Sequence, residues 1–136
     1  MIGIQERHGA LWCVFGCGGD RDPGKRPQMG KVSMLADHVL VTSDNPRNEA
    51  PADIIAQIMQ GMEEGLENML HAPLVVEDRA GAILWAVRHA EKNDVILLAG
   101  KGHETTQEIK GRKLPFLDAD HAALALATRA THGGAL

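Results

Sequence analysis

The sequence contains no tyrosine, 3% aromatic residues, two cysteines, and no apolar run near the roughly 18 residues of a membrane span. Each shortage removes a class of function. A single-strand nucleic-acid platform stacks bases on aromatic rings and neutralises phosphates with a basic face, and a net charge of −4 supplies neither, so nucleic acid is not an expected partner. Cys13 and Cys17 stand four apart in one extended stretch, where residues rise about 3.3 Å each, too far for a relaxed disulfide. Their place in an apolar segment reads as packing in a reducing cytoplasm. The residues before Leu11 carry no apolar export core, and no membrane association is expected. No histidine stands at zinc-ligand spacing from Cys, Asp or Glu, so no metal site is expected.

What the 136 residues do contain is short apolar strands alternating with helical patterns, enough for one domain with one core. Leu11 to Phe15 reads as a buried strand running into Gly16-Cys17-Gly18-Gly19. Pro27 suits a first helical turn, with Met29, Leu35 and Ala36 as a weak apolar stripe, and His38 to Thr42 is a second strand. From Pro51, the residues Ile55, Ile58, Met59, Met62, Leu66, Met69 and Leu70 recur at three-to-four spacing and predict one long helix. Pro73 to Val76 is a third strand, Asp78 an N-cap for a helix through Ile83, Leu84, Val87 and Ala90, and Asp94 to Ala99 a fourth strand. Thr105 to Ile109 and Lys113 to Leu117 predict a hairpin at a sheet edge, followed by a last helix from Asp118 to about Ala130. The expected fold is therefore α/β, a Rossmann-like three-layer arrangement whose sheet is mostly parallel with an antiparallel edge hairpin. Residues 1–10 read as a leader or fragment boundary, 11–130 as the domain, and 131–136 as a flexible tail.

Ligands in such folds bind at the carboxyl ends of the strands, where three unusual segments fall. Gly19 to Lys25 has the spacing of a phosphate-binding loop. However, Arg26 stands where a magnesium-binding hydroxyl belongs, Asp20 and Asp22 would repel a triphosphate, and Pro23 removes an amide. Asp44-Asn45-Pro46-Arg47 puts an acceptor, an amide, a rigid turn and a guanidinium on consecutive residues. Pro46 should push Asn45 toward extended backbone, and Arg47 offers a planar fork for a carboxylate beside acceptors for an ammonium, which together suit a zwitterion. Gly100-Lys101-Gly102-His103-Glu104 supplies a cation, an imidazole and a carboxylate where glycines let a ligand approach the backbone. Each segment taken singly also fits a tight turn, an N-cap or a solvated charge cluster.

Taken together and in order, Val14 to Asp22, Gly24-Lys25-Arg26-Pro27, Asp44 to Arg47 and Gly100 to Glu104 resemble the C-terminal domain of the Mur ligases that act as UDP-N-acetylmuramoyl-tripeptide synthetases. The resemblance covers about Leu11 to Arg129. It implies a ligase that uses ATP and Mg²⁺ to add meso-diaminopimelate to UDP-N-acetylmuramoyl-L-alanyl-D-glutamate in peptidoglycan synthesis. The D-glutamate side carboxylate would be activated as an acyl phosphate that the amine of diaminopimelate attacks. It further implies that Arg21, Asp44, Asn45, Pro46, Arg47, Gly100 and Glu104 meet diaminopimelate. Lys25, Lys101 and His103 would make phosphate or interdomain contacts. The domains that hold ATP, Mg²⁺ and the UDP-sugar have no counterpart in this sequence, so this piece alone is expected to hold no cofactor and to be inactive. The other reading is a stand-alone small-molecule-binding or regulatory module without ligase activity.

Overall fold

The computed structural model describes residues 9–99, two strands at 106–109 and 112–115, and residues 122–124 and 126. The elements are β1 (Leu11–Phe15), α1 (Lys25–Ser33), β2 (His38–Val41), α2 (Pro51–Gln60), a 3₁₀ helix (Glu63–Asn68), β3 (Leu74–Val75), α3 (Arg79–His89), β4 (Val95–Ala99), β5 (Thr106–Ile109) and β6 (Arg112–Pro115). Four strands form a parallel sheet in the order β3-β2-β1-β4. The predicted hairpin is present, but among the described residues β5 and β6 pair only with each other, as a second, two-stranded antiparallel sheet. Most of the expected last helix lies outside the described residues.

Side chains alternate along the strands between two cores. Leu11, Phe15, Val39 and Val41 face α1 and α2 with Ile54, Ile55, Ile58 and Met62, whereas Trp12, Val14 and Leu40 face α3 with Ala82 and Ala86. This split follows from handedness. The crossovers β1 to β2 and β2 to β3 step one way along the sheet and put their helices on one face, and the return from β3 to β4 puts α3 on the other. Asp78 caps α3 as expected, accepting from the Gly81 N–H at 3.2 Å.

Two helix readings are corrected. α1 buries Arg26, Gly30 and Ser33, not the Met29–Leu35 stripe, and Met29 and Leu35 are exposed. The reason is backbone contact with α2: a Cβ at Gly30 would lie 2.2 Å from the Ile58 carbonyl oxygen, and one at Gly61 would lie 1.8 Å from that of Pro27. The long helix ends at Gln60 and resumes as the 3₁₀ helix, so Leu66 and Leu70 leave the core. An apolar repeat carried through a glycine at a helix crossing is thus divided between two elements.

Candidate functional site

Two loops at the carboxyl ends of neighbouring strands are built as one unit. Gly16 to Asp22 follows β1 and Thr42 to Glu49 follows β2. The Gly19 N–H donates to the Asn45 carbonyl at 2.9 Å, the Asp20 N–H to Glu49 Oε1 at 2.8 Å, and Asn48 Nδ2 to Asp20 Oδ2 at 3.0 Å. The approach is close enough that a Cβ at Gly19 would lie 1.8 Å from the Pro46 oxygen. Asp20, Asn45 and Arg47 have φ of 54°, 44° and 53°, and among the described residues they are the non-glycines in the left-handed region. Such backbone costs about 1–3 kcal/mol per residue and persists only where its surroundings enforce it. Asn45 therefore corrects the expectation of extended backbone. Pro46 excludes the right-handed helical region, and asparagine, whose short amide tolerates the left-handed one, takes that instead.

A buried arginine clamps the pair. Arg26, 2% exposed, donates through Nη1 to Glu49 Oε2 and Gln57 Oε1, and through Nη2 to Glu49 Oε1, each at 2.9 Å, and also reaches the Gly18 carbonyl at 3.0 Å. Its hydrogen bond with Arg26, followed by that from the Asp20 N–H, holds the Glu49 carboxyl below its ordinary range. The same bond, set against burial, raises Arg26. A second buried guanidinium, Arg79, donates to the Ser43 carbonyl at 3.2 Å and the Ala99 carbonyl at 3.1 Å, tying the β2 loop to the end of β4. Sequence reading missed both arginines. Arg26 looked like part of a solvated charged loop, and Arg79 had only its place after the α3 cap to mark it.

Of the predicted site residues, Asp44, Asn45 and Pro46 are buried, Arg47 is half-buried, and Arg21 and Lys25 are exposed. Arg47 is not a solvated helix-entry charge: its Nη1 donates to the Gly19 carbonyl at 2.9 Å and the Asn45 carbonyl at 3.2 Å, which fixes the guanidinium plane. A Cβ at Gly18 would sit 2.9 Å from Arg47 Nη1 and 3.3 Å from Arg21 Cγ, so the two arginines flank this glycine. Ser43 Oγ is buried without a hydrogen-bond partner among the described residues. Leaving such a group unsatisfied costs about 1–3 kcal/mol. Gly100, Lys101, His103 and Glu104 lie outside the described residues.

A cavity of about 720 Å³ opens at the opposite, amino ends of the strands, lined by Trp12, His38, His71, Trp85, His89 and Asp94. Its polar groups serve the fold. Asp94 accepts from the Ala10 N–H, the Trp12 indole and the Glu91 N–H, each at 2.8 Å, and His38 stacks between Trp12 and His71. Among the described residues no cluster of His, Cys, Asp or Glu has metal-binding geometry, and no helix is long and apolar enough to cross a membrane. Cys13 and Cys17 are free and pack against the α1–α2 core.

Comparison with known proteins adds four findings. Residues 3–102 match the family model described as "Mur ligase, glutamate ligase domain". The chain is similar to the UDP-N-acetylmuramoyl-L-alanyl-D-glutamate--2,6-diaminopimelate ligase of Janthinobacterium sp. (strain Marseille), 70% identical over 95% of this chain and 25% of that one. It is also similar to the ligase of the same name from Ralstonia nicotianae, 60% identical over 90% of this chain and 23% of that one. A solved structure of a ligase so named superposes with a TM-score of 0.82 at 41% identity, covering 92% of this chain and 26% of that chain. The chain thus spans about a quarter of the length of the curated relatives it matches.

Proposed function

The chain belongs to the Mur ligase family, as its C-terminal domain, and from that premise we propose that it binds and positions meso-diaminopimelate for a ligase joining it to UDP-N-acetylmuramoyl-L-alanyl-D-glutamate. The observation that carries this reading is the locked pair of loops, in which Arg47 and Arg21 flank Gly18 beside Asp44 and Asn45. Diaminopimelate differs from lysine by a second carboxylate on the side-chain end, and a guanidinium whose plane is already fixed recognises such a group with little ordering cost. In this reading Arg47 and Arg21 hold carboxylates, Asp44 and Asn45 orient ammonium groups, and Gly100 and Glu104 complete the pocket. Lys25, Lys101 and His103 meet phosphate or neighbouring domains.

The chain's contribution to the reaction is placement. Holding an amine at attack distance is worth an effective molarity of about 10⁵ M or more. ATP and Mg²⁺ belong to the rest of the ligase, which works in the cytoplasm, because the residues present here do not fit them. Asp22 Oδ1 accepts from the Gly24 N–H at 2.9 Å within the loop of phosphate-binding spacing, and Arg26, at the position of the magnesium-binding hydroxyl, is committed to Glu49. This piece alone therefore catalyses no ligation. The relatives' names favour the ligase over a stand-alone regulatory module.

Calorimetric titration of the chain with meso-diaminopimelate and with L-lysine tests the assignment. Diaminopimelate should bind the more tightly, and Arg47→Ala should erode the difference by about 1.5–3 kcal/mol, the worth of a hydrogen bond to a charged group. Equal affinity for the two amino acids, or a preference that survives the substitution, would remove Arg47 from the role given to it.

A further inference from the structure

At the carboxyl edge of the sheet, β2 and β4 flank β1 on its two sides, so their ends stand two strand spacings apart, about 9.6 Å. The chain beyond β1 stays against β2. The Thr42 N–H donates to the Phe15 carbonyl at 2.8 Å, and a Cβ at Gly16 would lie 2.3 Å from the Thr42 oxygen. Arg79, the first residue of α3 and 1% exposed, spans the interval between the two outer strands. Its Nη1 donates to the Ser43 carbonyl at 3.2 Å and its Nη2 to the Ala99 carbonyl at 3.1 Å. Local structure puts it there. The Asp78 cap, accepting from the Gly81 N–H, fixes where α3 begins, and the Glu77 carbonyl just before it accepts from the Ser43 N–H at 3.3 Å and from Thr42 Oγ1 at 3.1 Å.

We propose that Arg79 is a positioning residue for amino-acid recognition, acting through the backbone: by holding the Ser43 carbonyl it sets the direction in which Asp44, Asn45 and Arg47 leave the sheet. The inference rests on the reading of that loop as the meso-diaminopimelate site. The Ser43 carbonyl and the Asp44 N–H belong to one planar peptide unit, so a donor that fixes the carbonyl fixes the start of the loop. The loop is tied at its middle by the Gly19 N–H and at its far end by Arg26 through Glu49, and Arg79 supplies the near end. Ala99 gives the loop a rigid reference, because it closes the ladder of β4 with β1 that runs from Leu11 and Val95 to Phe15 and Ala99. Arginine suits this task. Its planar fork holds two carbonyls in one fixed relation, whereas a lysine ammonium is a single point on a flexible stem. Burial of the cation is costly, and charge-assisted bonds to both carbonyls offset that cost.

Arg79→Lys keeps the charge and gives up the fork, and Arg79→Gln keeps one donor group without the charge. At a temperature where melting curves show a variant fully folded, lost stability alone leaves ligand affinity unchanged, so affinity reports on placement. In calorimetric titrations there, the variants should bind meso-diaminopimelate about tenfold more weakly, within the coupling range of residues sharing one hydrogen-bond network. With Arg47→Ala added, the loss should be smaller than the product of the two single losses, because a displaced loop no longer presents Arg47. Full affinity in a folded variant, or losses that multiply, would overturn the proposal, as would failure of both variants to fold. Hydrogen exchange without ligand is the second measurement. The Gly19 and Glu49 amides, bonded to the Asn45 and Pro46 carbonyls, should exchange about tenfold faster in the variants through local opening. The Asp37 and Val95 amides, bonded to the Leu11 and Ala10 carbonyls at the other end of the sheet, should keep their rates. Equal acceleration at both ends would make Arg79 a stabiliser of the whole fold and overturn its positioning role. If the parent chain binds diaminopimelate no better than L-lysine, the reading of the site falls, and the exchange rates still decide whether Arg79 places the loop.

Discussion

At Arg26 a guanidinium enclosed by protein meets the Glu49 carboxylate through both terminal nitrogens, and the two loops that carry the proposed recognition residues hang from that pair. The pair has a pH signature. Glu49 is held below its ordinary range in the folded chain, so its contribution to stability is complete above the unfolded carboxylate value of about 4.5 and is lost as pH falls through the lower folded one. Asp94 works in the same sense: burial would raise it, but hydrogen bonds from Glu91, Trp12 and Ala10 hold it low. Urea midpoints followed from pH 7 downward should fall below the ordinary carboxylate range, and Glu49→Gln should flatten part of that limb and leave the share due to Asp94. An unchanged acid limb in Glu49→Gln would deny the pair a role in stability. Such a residue is hard to foresee, because burial of an arginine depends on a carboxylate more than twenty positions away. Asn45 shows the reverse: Pro46 made its unusual backbone legible, and only the choice between the extended and left-handed regions was missed.

Among the elements, the crossing of α1 and α2 depends on having nothing between two backbones. Alanine is favoured over glycine by about 1 kcal/mol within a helix. At Gly30 the added methyl would meet the Ile58 carbonyl oxygen at 2.2 Å, and overpacking of this kind costs about 1–3 kcal/mol. Gly30→Ala and Gly61→Ala should therefore lower stability in urea titrations, whereas Gly24→Ala, facing only the Asp22 carboxylate at 3.2 Å, should change it little. Equal effects at all three would mean that the helices do not meet through their glycines. The strands were legible because short apolar runs ended by turn residues need no partner to be recognised. The α1 stripe and the length of α2 were not, since both were decided by this contact between segments some thirty residues apart.

For the whole molecule, the doubly wound order β3-β2-β1-β4 explains where the loops converge, at the carboxyl ends beside the point where the crossovers reverse direction. That much was readable from the alternation of strands and helices, and it brought two of the three marked segments together. The third begins at Gly100, just past the Ala99 carbonyl that Arg79 holds. The same topology leaves a groove between α1 and β4, which no periodicity in the sequence announces because its walls come from α1, β1 and β4 at once.

The central claim is that the locked loops read meso-diaminopimelate, and backbone amide shifts of the chain during titration with meso-diaminopimelate and with L-lysine test it most directly. The account predicts changes at residues 18–21, 43–48 and 100–104 that are larger with diaminopimelate. Changes centred on Trp12, His38 and Asp94 at the other end of the sheet, or identical maps for the two amino acids, would contradict it.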